Sequence, residues 1–136
     1  MDVKTIVDAG PLIGWLNFSD QWRRWSVDAL KTRRGALHPT EVVLGEACYQ
    51  LGGNSATIQA LLTLVREGAV VLHTLWPQHL LRTQELMMKF DRMDAGEASL
   101  IMLSELYPRA KIVTVDLEDF RIYRWFRDQL IPLLAP

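Results

Sequence analysis

Two aspartates stand at matching places in this sequence: Asp8 closes the run Val3-Lys4-Thr5-Ile6-Val7, and Asp116 closes Lys111-Ile112-Val113-Thr114-Val115. β-branched runs of this kind favour extended structure. In an open α/β sheet of parallel strands the C-terminal ends share one edge, and that edge is where such sheets place their chemistry. Taken alone, Asp8 reads as a helix cap, because Gly10-Pro11 follows at once and aspartate accepts backbone N–H bonds at helix starts. Further acids bear on that reading. Asp94 and Glu97 have the three-residue spacing of a capping box ahead of an apolar run, so both belong at the positive end of a central helix. Glu46 sits one turn from Val42 and Val43 and beside Ala47, at the border of an apolar stripe where an unpaired carboxylate is costly.

If Asp8, Asp94, Glu97 and Asp116 share one rim and Glu46 leans across it, their mutual repulsion calls for cations. Oxygen-only ligands that retain waters suit Mg²⁺ or Mn²⁺. Such ions activate water and stabilise charge developing on a phosphodiester, so the chemistry indicated is metal-dependent phosphodiester hydrolysis. Cys48 has no motif partner, and His38, His73 and His79 lack zinc-ligand spacing and read as structural or surface residues. Neither a phosphate-binding G-x-x-x-x-G-K-[ST] loop nor a G-x-G-x-x-G fingerprint occurs.

The elements that must position these acids alternate along the chain. Strands are expected at Thr5–Val7, around Gly35–His38, at Ala69–His73 and at Lys111–Val115. Helices are expected after Pro11, from Ser19 or Asp20 to Lys31, from Pro39-Thr40 to Leu51, from Asn54-Ser55 to Glu67, from Pro77 to Lys89, and after Asp94. This trade of strand and helix signals predicts an α/β chain with a mostly parallel sheet covered by helices. The 136 residues, 49% of them apolar, fit one compact domain over 1–136. A net charge of −1 supplies no global pull toward a polyanion, so any polyanion partner must be met by a local basic patch. Arg121, Arg124 and Arg127, interleaved with Tyr123, Trp125 and Phe126, are the candidates for a phosphate-and-stacking surface that would contact RNA, with the alternative that the aromatic residues close the core or a dimer interface. The apolar runs are too short to span a bilayer and no secretory pattern opens the chain, so a soluble, cytoplasmic protein is expected.

Taken together, Val7-Asp8-Ala9-Gly10-Pro11-Leu12, Glu46, Met93-Asp94-Ala95-Gly96-Glu97-Ala98-Ser99-Leu100 and Thr114-Val115-Asp116-Leu117-Glu118-Asp119-Phe120, with Tyr123-Arg124, resemble the PIN domain nucleases. Within that family the resemblance is to the VapC-type ribonuclease toxins of toxin–antitoxin pairs, and it spans essentially the whole chain. It implies a three-layer α/β/α sandwich, Mg²⁺- or Mn²⁺-dependent endoribonuclease activity, a homodimer, and a small antitoxin protein that blocks the site. By position it implies that Asp8, Glu46, Glu97 and Asp116 are the catalytic and metal-binding acids. Asp94 is then the adjacent cap or outer acid, Thr114 a hydroxyl near the metal, and Asp119 an additional acid or a turn residue. Two departures stand out: Glu97 occupies a position that is often aspartate in the family, and Ala9 one that is often Ser or Thr. The first leaves a second reading, a PIN-fold RNA- or protein-binding module with weak or lost nuclease activity.

Overall fold

The computed structural model describes residues 1–33 and 35–136, and it is built on a parallel sheet. β1 (Thr5–Val7), β2 (Lys111–Val113) and β3 (Leu133–Leu134) pair in that order, with Ile6 opposite Ile112 and Val113 opposite Leu134. Parallel bridges extend the sheet beyond β1: Ile6 pairs with His38, Leu37 with Val70 and Thr40 with His73. The backbone bonds from Val7 N–H to the His38 carbonyl at 3.2 Å and from Val71 N–H to the Leu37 carbonyl at 2.8 Å hold these segments. The two middle strands read from the sequence are thus extended segments bridged into the sheet.

Among the described residues seven α-helices accompany the strands: α1 (Ala9–Leu16), α2 (Arg23–Lys31), α3 (Glu41–Gln50), α4 (Ser55–Arg66), α5 (Leu80–Lys89), α6 (Ala95–Leu106) and α7 (Leu117–Ile122). Five start on a side chain that accepts a backbone N–H: Asp8, Thr40, Asn54, Asp94 and Asp116. These short polar residues compete for the first free amides of a helix, which fixes where each helix begins. α6 is apolar on nearly every side and is buried without a break from Gly96 to Ser104. It lies on β1 and β2 and is flanked by α3 and α5, as expected for a helix with no solvated face. α1 packs chiefly against α2 and also meets α3.

Several boundaries differ from the sequence expectation. α2 begins at Arg23, because Asp20 uses its carboxylate on the Trp22 N–H at 2.9 Å and makes a turn ahead of the helix. α5 begins at Leu80, three residues after Pro77. β2 ends at Val113, not Val115, since the Thr114 hydroxyl takes the Asp116 N–H at 3.0 Å and turns the chain into α7. β3 has no counterpart in the sequence reading; beside this edge strand the missing N–H of Pro132 costs nothing, and its carbonyl accepts from Ile112 at 3.0 Å.

Candidate metal centre

β1 and β2 run in parallel and are directly paired, so Asp8 and Asp116 emerge side by side. One hydroxyl ties them together. Thr114, fully buried, donates to Asp8 Oδ2 at 2.8 Å while its oxygen accepts the Asp116 N–H. Asp8 Oδ1 caps α1 through the Ala9 N–H at 2.8 Å, so capping and membership of the acidic group coexist in one side chain. Asp116 Oδ1 accepts from the Asp119 N–H at 3.1 Å and opens α7, which brings Asp119 to the same place.

The start of α6 supplies the facing wall. Asp94 and Glu97 form the reciprocal capping box, with Asp94 Oδ1 on the Glu97 N–H at 2.8 Å and Glu97 Oε1 on the Asp94 N–H at 3.0 Å. The Tyr123 hydroxyl also donates to Glu97 Oε1 at 3.0 Å. One oxygen each from Glu97, Asp116 and Asp119 lie within 4.8 Å of one another. Glu46 reaches in from α3 above Gly96: a Cβ at position 96 would sit 3.0 Å from Glu46 Oε2 and 3.4 Å from Asp94 Oδ1. Glu46 is further steadied by Gln50, which donates to its Oε1 at 3.1 Å.

The electrostatics carry the mark of crowding. Burial, with the Asp116 and Asp94 charges adding to it, pushes the Asp8 carboxyl up to about 6. Burial and then the Asp94 and Asp119 charges push Glu97 up to about 7. Glu46 is raised by burial and by Asp8 and Asp94, and Asp116 by burial and by Asp119. The cation against the group is Arg92, whose Nε meets Asp119 Oδ1 at 2.8 Å with its side chain half exposed. Each shift has the sign that repulsion among carboxylates in a partly dry cleft gives. An all-oxygen donor set with excess negative charge fits a hard divalent cation such as Mg²⁺ or Mn²⁺.

The fold therefore brings together Asp8, Glu46, Asp94, Glu97, Thr114, Asp116 and Asp119. The tight trio contains Asp119, an additional residue in the sequence reading, while Asp8 and Glu46 stand wider. The basic tail behaves differently. Tyr123 is fully buried and Trp125 is 9% exposed, its ring N–H bonded to Ser104, so these two rings belong to the core and not to a stacking surface. Arg124 donates to the Tyr123 carbonyl at 2.9 Å and to the Arg121 carbonyl, capping the end of α7. Arg121 and Arg127 are exposed. Arg92 and the Tyr123 hydroxyl have no role in the sequence reading; a lone arginine inside the acid-rich stretch Asp91–Glu97 is the only local sign of the first.

Two of the histidines bond to each other. His38 Nδ1 and His73 Nε2 are 2.8 Å apart, a bond that needs one ring to donate and the other to accept, and burial lowers both below the usual histidine value. Beside them the Thr40 and Ser99 hydroxyls meet at 2.7 Å, and Ser99 also meets the Gly96 carbonyl at 2.6 Å.

No protein-family model and no curated protein matches the chain. Solved structures match it in fold. VapC20 of Mycobacterium tuberculosis, described as a sarcin–ricin loop cleaving toxin, superposes with a TM-score of 0.73 over 80% of this chain and 87% of its own, at 12% identity. The DNA-bound VapBC of Salmonella typhimurium matches with a TM-score of 0.58 at 15% identity, covering 98% of each chain. VapBC2 from Rickettsia felis, bound to a promoter DNA fragment, gives 0.62 at 14% identity over 98% of this chain and 99% of its own. At such identities the likeness speaks for architecture, and with the parallel sheet and the strand-end acids it assigns this chain the PIN-domain fold of the VapC-type toxins.

Proposed function

We propose that the protein is a divalent-metal-dependent endoribonuclease, the toxin of a VapBC-type pair, acting in the cytoplasm as a homodimer held inactive by a small antitoxin. The observation that carries the proposal is the convergence of Asp8, Glu46, Asp94, Glu97 and Asp116, with Asp119, on one rim where, among the described residues, the close cation is a half-exposed arginine. The match to VapC and VapBC structures supports the toxin reading and the antitoxin partner.

In this reading Asp8, Glu46, Glu97 and Asp116 hold Mg²⁺ or Mn²⁺, with Asp94 and Asp119 at its margin. The bound ion supplies an activated water and charge stabilisation at the phosphodiester. The chain's own contribution is placement. Thr114 locks the orientation of Asp8 and spaces it from Asp116, and the capping box fixes Glu97 at the positive end of α6. Thr114 and the box act before any substrate arrives, so the site is preorganised. Arg121 and Arg127, exposed beside α7, are available to RNA phosphates, and Arg124 reaches them only by giving up its carbonyl partners.

The test is incubation of the purified protein with structured RNAs in Mg²⁺, in Mn²⁺ and in chelator, alongside Asp8→Asn. Cleavage that needs the ion and Asp8 is expected. Cleavage indifferent to both overturns the metal mechanism, and RNA binding without cleavage of any RNA favours the binding-module reading.

A further inference from the structure

Glu97 presents its two oxygens unequally. Oε1 accepts the Asp94 N–H and the Tyr123 hydroxyl, both at 3.0 Å, which fills the two acceptor positions of a carboxylate oxygen. Among the described residues no hydrogen bond reaches Oε2. The hydroxyl on Oε1 is itself immobile. The Tyr123 ring has no exposure and is gripped edge-on by Phe90 at 5.4 Å and Phe120 at 5.5 Å, while its own N–H closes α7 on the Asp119 carbonyl at 3.3 Å. A phenol beside a carboxylate has one arrangement open to it, as donor. Tyr123 thus spends its only polar group on one oxygen of one acid in the cleft.

We infer that Tyr123 is a positioning residue that restricts Glu97 to a single metal-binding oxygen, Oε2, and thereby biases the site toward Mg²⁺ or Mn²⁺ and against Ca²⁺. Small octahedral ions take one oxygen from each carboxylate and keep their waters, whereas Ca²⁺ accepts more ligands, including both oxygens of one carboxylate, at longer distances. With Oε1 occupied by two donors, bidentate capture costs both bonds. The longer reach of glutamate relative to aspartate, the departure noted in the sequence, is what lets the side chain touch the tyrosine while still facing the cleft. The inference rests on the metal-centre reading above.

The experiment compares wild type and Tyr123→Phe after chelator stripping, by calorimetric titration with Mg²⁺, Mn²⁺ and Ca²⁺ separately. The phenylalanine keeps both ring contacts and removes only the hydroxyl. The ratio of Ca²⁺ to Mg²⁺ affinity is expected to rise about tenfold in the variant, the scale on which partners of metal ligands act. A ratio unchanged from wild type overturns the inference while leaving the metal centre standing. Failure of the wild type to bind any of the three ions overturns both. Should the variant not fold, difference infrared spectroscopy of wild type with ¹³C-labelled glutamate decides in Ca²⁺, the ion that takes both oxygens of an unrestrained carboxylate: the wide splitting of one-oxygen ligation is expected, and a bidentate signature overturns the inference.

Discussion

Two buried polar groups sit on neighbouring strands of one sheet and are built on opposite terms. Around His38 and His73 the polar groups bond to one another: one imidazole donates to the other, the Thr40 and Ser99 hydroxyls meet, and Ser99 reaches the Gly96 carbonyl, with no net charge among them. Around Asp8 several polar atoms are bonded, through Thr114, Ala9, Asp94 and Tyr123, but the charges are not matched, and the carboxyls of Asp8, Glu46, Glu97 and Asp116 are all pushed upward, first by burial and then by one another or by neighbouring acids. The first group is neutral as it stands. The second leaves Glu97 Oε2 without a hydrogen bond among the described residues and carries unmatched negative charge, which is what the proposed metal site would relieve. Net charge is what separates the two groups most sharply.

The comparison breaks most sharply under Asp116→Asn, which removes a proposed ligand at the heart of the trio. RNA cleavage should fall by about a hundredfold or more, since metal stabilisation of the transition state is a matter of several kcal/mol, while denaturant midpoints stay at or above wild type. A loss of fold with the loss of activity would mean that the carboxylate is structural after all. His73→Phe is the mirror case. It strands His38, 3% exposed, without its partner, and should lower stability by about 1–3 kcal/mol in urea titrations with the cleavage rate unchanged.

Stability against pH sharpens the same contrast because the two groups respond with opposite sign. Without metal, the folded chain holds more protons than the unfolded chain from about pH 4 to about 6 at Asp8, and up to about 7 at Glu97, so stability falls as pH rises through that window. At His38 and His73 the lowered values mean that the unfolded chain takes up protons the folded chain refuses, so stability falls as pH drops below 6.5. Thermal melts in chelator should show the loss between about pH 4 and 7, Asp8→Asn should shrink it, and added Mg²⁺ should raise the midpoint more above about pH 7 than below about pH 5. A metal effect independent of pH would deny any competition between protons and the ion. The smallest effect is expected from Arg92→Gln. That pair is half exposed, so in chelator the cost should be under about 1 kcal/mol, and with Mg²⁺ bound it should vanish.

What the sequence discloses about this chain is local, and what it conceals is tertiary. The caps at Asp8, Thr40, Asn54 and Asp94 are legible because a cap and its amide are at most three residues apart. The common edge of Asp8 and Asp116 is legible because two strand-and-aspartate patterns in a parallel sheet have nowhere else to meet. The bond from Arg92 to Asp119 and that from Tyr123 to Glu97 each join residues 26 or 27 apart with no periodicity to announce them. The same holds for His38 and His73, whose contact depends on the register of two bridged strands. In the basic tail, alternation of arginine and aromatic residues suggests a surface, yet α7 turns Tyr123 inward and leaves Phe126 out, half exposed. Aromatic residues near a chain end are claimed by whichever neighbour offers more burial.

Gly96 gives the cleft a property independent of charge. A single added carbon there would stand 3.0 Å from the Glu46 carboxylate, close enough to oblige that side chain to retreat by a few tenths of an ångström and not so close as to disturb the backbone of either helix. Glu46 is half-buried and its far end can yield, so Gly96→Ala should keep every acid and the fold while moving the Glu46 carboxylate outward from the others. In the proposed metal site, the spacing of the acids is therefore adjustable by bulk beneath one of them, a graded setting that substitution of the acids themselves, which either present a charge or do not, cannot provide.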